Sequence, residues 1–120
     1  MSKNLVNKVG EIGQDNLIAK LFPPAETFGV TIPAGAGVLT RGTVLALVDG
    51  AYAVLAAGNT GKASCILADD VDASAGEAVG VAYRTGHFNS KALIVADGYT
   101  MTAADKEELR KGGILLSEMQ

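Results

Sequence analysis

The stretch that decides the fold is Cys65-Ile-Leu-Ala-Asp-Asp-Val-Asp-Ala-Ser-Ala-Gly-Glu-Ala-Val-Gly-Val-Ala-Tyr-Arg-Thr-Gly-His-Phe-Asn89. It predicts two strands, Ala63 to Ala68 and Glu77 to Arg84, short apolar runs bounded by polar residues and glycine. Between them, Asp69, Asp70 and Asp72 are too polar to bury unpaired, so an acidic loop is expected. Thr85-Gly86-His87 is expected to turn the chain and deliver Phe88 and Asn89. Asn89 suits a helix N-cap, because its side chain can accept a bond from an orphan backbone N–H.

Upstream, Thr43 to Val48 predicts a strand. Asp49-Gly50 is a two-residue hairpin turn of the kind that needs positive φ at both centres, and Ala51 to Leu55 returns as the partner. Gly58-Asn59-Thr60-Gly61 is a second turn cluster. The middle of the chain is therefore expected to be a four-stranded meander. Downstream, Ser90 to Ala96 fits either a short helical turn, from the Asn89 cap, or a strand, from Leu93-Ile94-Val95. Thr102 to Lys111 is the best helix in the chain: Thr102 caps it, Asp105 takes the capping-box position, and Arg110 and Lys111 suit the dipole at its end. Gly112 is the expected stop, and Ile114-Leu115-Leu116 a last strand.

Residues 1–35 differ from the rest. Isolated Leu5, Val6, Val9 and Ile12 are followed by a patch of Leu17, Ile18, Leu21 and Phe22, then by Pro23-Pro24. The alternation of Phe28, Val30 and Ile32 suits a single extended strand, ended by Pro33. The expected architecture is mainly β with a small α/β part. A compact meander or barrel-like domain over 36–120 carries one short C-terminal helix, and residues 1–35 form an extended arm whose apolar side chains need a surface to cover.

Composition narrows the function. A chain of 120 residues fits one domain. With 15 Gly, no Trp and 5% aromatics, its core must use small side chains, and burial between subunits would add area. The net charge of −3 and scattered basic residues argue against a nucleic-acid surface. No apolar run approaches the ~20 residues of a membrane span, and the N-terminus lacks the apolar core of a signal peptide. Cys65 is the sole cysteine and has no internal disulfide partner, which points to a reducing compartment.

No catalytic or cofactor set emerges. One Cys and one His, Cys65 and His87, do not make a tetrahedral zinc site, and Cys65 has no base beside it in sequence. The three aspartates lack EF-hand spacing. The glycine clusters at 35–37 and 58–61 do not match a phosphate loop. The residues point to a binding or structural protein with no metal or cofactor.

Four pieces in order carry a resemblance: Leu39-Thr-Arg-Gly-Thr-Val-Leu-Ala46; Ile66-Leu-Ala-Asp-Asp-Val-Asp72; Tyr83-Arg-Thr-Gly-His-Phe-Asn89 with Ala92-Leu93-Ile94; and Leu109-Arg-Lys-Gly-Gly-Ile-Leu-Leu116. Together, over about residues 36 to 116, the set resembles the lambda-type head decoration proteins of tailed bacteriophages. The resemblance implies a small mixed β fold. It also implies a homotrimer on the outside of the expanded capsid, at threefold and quasi-threefold positions, that stabilises the shell against DNA pressure. The partners implied are the major capsid protein and further copies of the chain, with assembly in the host bacterial cytoplasm. Gly42, Asp69, Asp72, Gly86, Phe88 and Asn89 fall in the matching pieces. Leu17, Ile18, Leu21, Phe22, Phe28, Val30 and Ile32 are the candidate capsid contacts of the arm. Another virion β module, of the tail or baseplate or binding a receptor or carbohydrate, would share the composition.

Overall fold

The structure, a computed structural model, describes residues 17–20 and 24–117. The chain is mainly β, with one short helix. Its strands are β1 (Ile18–Lys20), β2 (Glu26–Ile32), β3 (Gly37–Leu39), β4 (Val44–Val48), β5 (Ala51–Val54), β6 (Ala63–Leu67), β7 (Val71–Ala73), β8 (Ala78–Asn89) and β9 (Ile114–Ser117). The helix α1 spans Ala103–Gly112.

The β4–β5 hairpin turns as expected, with Asp49 at φ 52° and Gly50 at φ 83°. The next step departs from a meander. β6 pairs with β4 rather than β5, so the order across the sheet is β5-β4-β6-β8. Burial explains the choice. β5 alternates between exposed and half-buried residues, whereas β6 is covered on both faces and needs the equally apolar β4 beside it. The 4–6 ladder also contains a bulge. Leu45 faces Cys65 but Ala46 faces Ala63, which leaves Ser64 as the extra residue and moves Ala63 to the opposite face from Cys65.

β8 is the longest strand and joins two sheets. Its first half pairs with β2, from Ile32 opposite Ala78 to Glu26 opposite Thr85, and on its other edge with β6. Its second half, 86–89, is flanked by β1 and by β9, which runs parallel to it. The expected turn at Thr85-Gly86-His87 is therefore absent. Gly86 keeps the strand going at φ 144°, where a Cβ would lie 2.7 Å from the Phe88 ring. Its N–H donates to Gly113 O at 3.1 Å. The acidic loop also holds more order than expected: Val71–Ala73 forms β7 and pairs with β3.

Two cores lie on opposite faces of β4 and β6. Val44, Ile66, Phe88, Leu109 and Ile114 pack on the side of α1 and β9. Leu45, Cys65, Leu67, Val30 and Ile32 pack on the side closed by β2, β3 and β7. The sheet curls until its outer strands approach, with the rings of Phe28 on β2 and Tyr52 on β5 6.4 Å apart edge to face. No ladder joins β2 to β5, so the curl is not a closed barrel.

Residues 90–96 combine both expectations. Ser90–Ala92 is a single 3₁₀ turn, capped by the Asn89 side chain, which accepts from Lys91 N at 3.1 Å. Ile94 then bridges Thr43 as a lone parallel contact. α1 carries the expected capping box of Thr102 and Asp105. Its C-cap is Gly113 at φ 106°, one residue past the expected stop, and this left-handed residue starts β9.

Candidate functional site

The side chains with catalytic potential are placed in structural roles. Cys65 is fully buried, and burial pushes its thiol up to about 12, against a smaller opposing pull from a Ser64 hydrogen bond. His87 lies elsewhere, on β8, with Nε2 3.1 Å from Ser117 Oγ. A nucleophile–base pair requires hydrogen-bond reach, and these two residues belong to different faces of the molecule. Asp70 accepts from the Arg41 backbone N–H at 2.9 Å. Asp72 accepts from Ser74 N at 3.0 Å and from the Ser74 hydroxyl; these bonds hold its carboxyl below the usual range. Among the described residues no group of three or more His, Cys, Asp or Glu is arranged to hold a metal. No helix among them is long and apolar enough to cross a membrane.

The four pieces of sequence quoted above meet in space. Gly42 N donates to Leu67 O at 2.9 Å, and Leu67 N to Thr43 O at 2.8 Å, stitching the first piece to the second. Arg41 extends from the first piece to the second and third. Its Nη1 donates to Ala68 O at 2.9 Å and to Tyr83 Oη at 2.8 Å, and its guanidinium lies 5.5 Å from the Tyr83 ring centre. Tyr83 in turn packs on Phe88, with ring centres 5.2 Å apart. The Gly86–Gly113 bond joins the third piece to the fourth. Gly42, at φ 98°, lets the carbonyl of Ala92 approach to where a side chain would stand. Gly42, Gly86, Phe88 and Asn89 thus build the junction of the two sheets, while Asp69 and Asp72 lie exposed at its acidic side.

The candidate contacts of residues 1–35 divide. Leu17 and Val30 are each 2% exposed and Ile32 is 0% exposed; their side chains fill the protein's own cores. Ile18 and Phe28 are half-buried against those cores. Leu21 and Phe22 lie outside the described residues. On β2 the solvent-facing side chains are instead Glu26, Thr27 and Thr31, with Gly29 between the two threonines. Across the ladder stand Val79 and Val81, 76% and 41% exposed. That apolar outer face was not anticipated. Its signal is the strict alternation of Val79, Val81 and Tyr83 with the small residues between them.

A second surface feature is a groove of about 470 Å³ between α1 and β9. One wall is the helical stripe Ala103, Lys106, Glu107 and Arg110, and the other is Ile114 to Leu116, with His87 beside it. Arg110 donates from Nε and Nη2 to the two carboxylate oxygens of Glu107. Leu115 is 37% exposed.

The family model described as bacteriophage lambda head decoration protein D matches residues 17–115. The chain belongs to that family. It is a structural protein of a phage head, associated with the capsid and part of the virion. No curated protein sequence matches it. The match begins at Leu17 and so includes β1 and β2, which the resemblance drawn from 36–116 left out.

Proposed function

We propose that the chain binds the outside of the expanded capsid as a homotrimer, at threefold and quasi-threefold sites, and stabilises the shell against the pressure of packaged DNA. The family match over residues 17–115 carries this reading. The surface is consistent with it: Val79 and Val81 give β8 an exposed apolar face. The role is structural and not enzymatic, with the major capsid protein and two further copies as partners and neither nucleic acid nor membrane. Assembly takes place in the host bacterial cytoplasm.

Stabilisation follows from linkage. A protein that binds the expanded shell and not the unexpanded one favours the expanded state by its differential affinity. A trimer multiplies weak single contacts, provided all three can engage at once. The N-terminal segment of residues 1–35 is the element proposed to reach the shell. Val30 and Ile32 root it in the chain's own core, so shell contacts within β2 fall to its outward residues and backbone.

Co-sedimentation of the purified protein with unexpanded and expanded shells of the same phage tests the reading. Saturable binding to expanded shells alone, at about three copies per threefold site, is expected. Absence of binding to either shell would sink it in favour of a tail or receptor-binding module.

A further inference from the structure

The groove between α1 and β9 has three properties that together describe a peptide site. First, β9 pairs with β8 on one edge only, and among the described residues no strand covers the other edge. Free backbone N–H and C=O groups on such an edge are a template for an added strand. Charged residues commonly guard exposed edges, but Ile114-Leu115-Leu116-Ser117 has none. Second, the groove runs along that strand and is open, with Leu115 and Leu116 offering apolar contact. Third, its helical wall holds a cation to spare. Arg110 is paired with Glu107 and Lys111 with Glu108, while Lys106 makes no ion pair among the described residues.

Position chooses the occupant. β9 pairs with Gly86 to Asn89 of β8, β1 pairs with His87 and Phe88 on the opposite edge, and Asn89 N donates to Leu17 O at 2.7 Å. Leu17, the first described residue of the N-terminal segment proposed above to reach the shell, therefore lies two strands from the groove. Neighbouring strands are about 4.8 Å apart, so the two features are separated by roughly 10 Å. A surface that close to the root of the shell-directed segment is within reach of the capsid when that segment is bound.

We propose that the α1/β9 groove is a second capsid-binding element, which takes an extended segment of a capsid subunit as an added strand on β9 and pairs a carboxylate of that segment with Lys106. The inference rests on the capsid-binding reading. Backbone pairing to β9 supplies affinity without demanding a particular sequence, and the carboxylate sets the register.

The test uses the full chain and expanded shells that lack decoration protein. Lys106→Glu and Leu115→Glu both alter exposed side chains and are expected to leave the thermal melt and oligomeric state unchanged. Each is expected to weaken shell binding at least tenfold, and Lys106→Gln about threefold. Hydrogen exchange at the amides of Ile114 to Ser117 is expected to slow on shell binding by the wild-type chain. Wild-type binding with unchanged affinity of both Glu variants and no slowing at β9 would overturn the groove proposal alone. Loss of the trimer in Lys106→Glu, with an unchanged melt, would also overturn it by placing another copy in the groove. Failure of the wild-type chain to bind any shell would instead remove the capsid reading, and the groove proposal with it.

Discussion

Replacing Asp105 with Asn tests how the helix is tied to the rest of the molecule. Asp105 is fully buried and makes no ion pair among the described residues. Its carboxylate is held by donors alone: Gly61 N at 2.7 Å on Oδ1, and Thr102 N at 2.9 Å, Thr102 Oγ1 at 3.1 Å and the Tyr99 hydroxyl on Oδ2. An Asn side chain has one acceptor oxygen. If that oxygen serves Tyr99 and Thr102, the amide NH₂ points at the N–H of Gly61 and leaves it orphaned. A hydrogen bond to a charged group contributes about 1.5–3 kcal/mol, and a buried unsatisfied donor costs about 1–3 kcal/mol. Allowing for overlap between those figures, Asp105→Asn should destabilise by about 3 kcal/mol at pH 7. Urea denaturation at matched protomer concentration measures it. The loss should also depend on pH. Desolvation pushes the Asp105 carboxyl up, but the bonds from Tyr99, Gly61 and Thr102 outweigh it and hold the folded pKa below its ordinary value. A depressed folded pKa gives stability that is complete above the unfolded value, about 3.9, and lost as the pH falls through the folded one. The gap between wild type and Asp105→Asn should be full at pH 7 and narrow below about pH 4. A destabilisation under about 1 kcal/mol at pH 7 would refute the account of Asp105 as the latch.

Gly86→Ala should cost about 2–4 kcal/mol, from a backbone conformation hostile to a side chain and a Cβ driven into the buried Phe88 ring. Gly29→Ala, which meets nothing within 4 Å, is the matched control and should change stability by less than about 1 kcal/mol; equal losses in urea melts would refute the packing argument. Cys65 should resist a thiol reagent at pH 8 in the native protein and react at a rate limited by opening of the fold, because its thiol is buried and its pKa is about 12. Rapid labelling without unfolding, followed by absorbance, would contradict that placement.

What could be read from the sequence was local. Asp49-Gly50 sets its own turn through backbone preference, and Thr102 with Asp105 caps its own helix, so neither depends on distant residues. The errors lie where distant residues decide. Gly86 resembles a turn residue in isolation, and becomes part of a strand because β9 pairs along residues 86–89 while β1 holds His87 and Phe88 from the other side. β6 leaves β5 for β4 because both of its faces are to be covered, which no short window reveals. Leu17, Val30 and Ile32 suggested a surface-seeking arm, yet their backbone partners on β8, namely Asn89, Gly80 and Ala78, lie far along the chain. The apolar outer face could be read from alternation along β8. The groove could not, since it depends on how α1 packs against β9 beyond the Gly113 cap, through core residues such as Leu109 and Ile114.

The passage of β8 through both sheets also has a mechanical meaning. A tug applied at β2 reaches β9 along the peptide bonds of a single strand, with no loop or sliding interface between them. Covalent bonds neither creep nor exchange on the time a filled head must wait, so the weakest links in that load path are the hydrogen-bonded rungs at its two ends. A protein built on such a spar yields at its two ends before it yields in its middle.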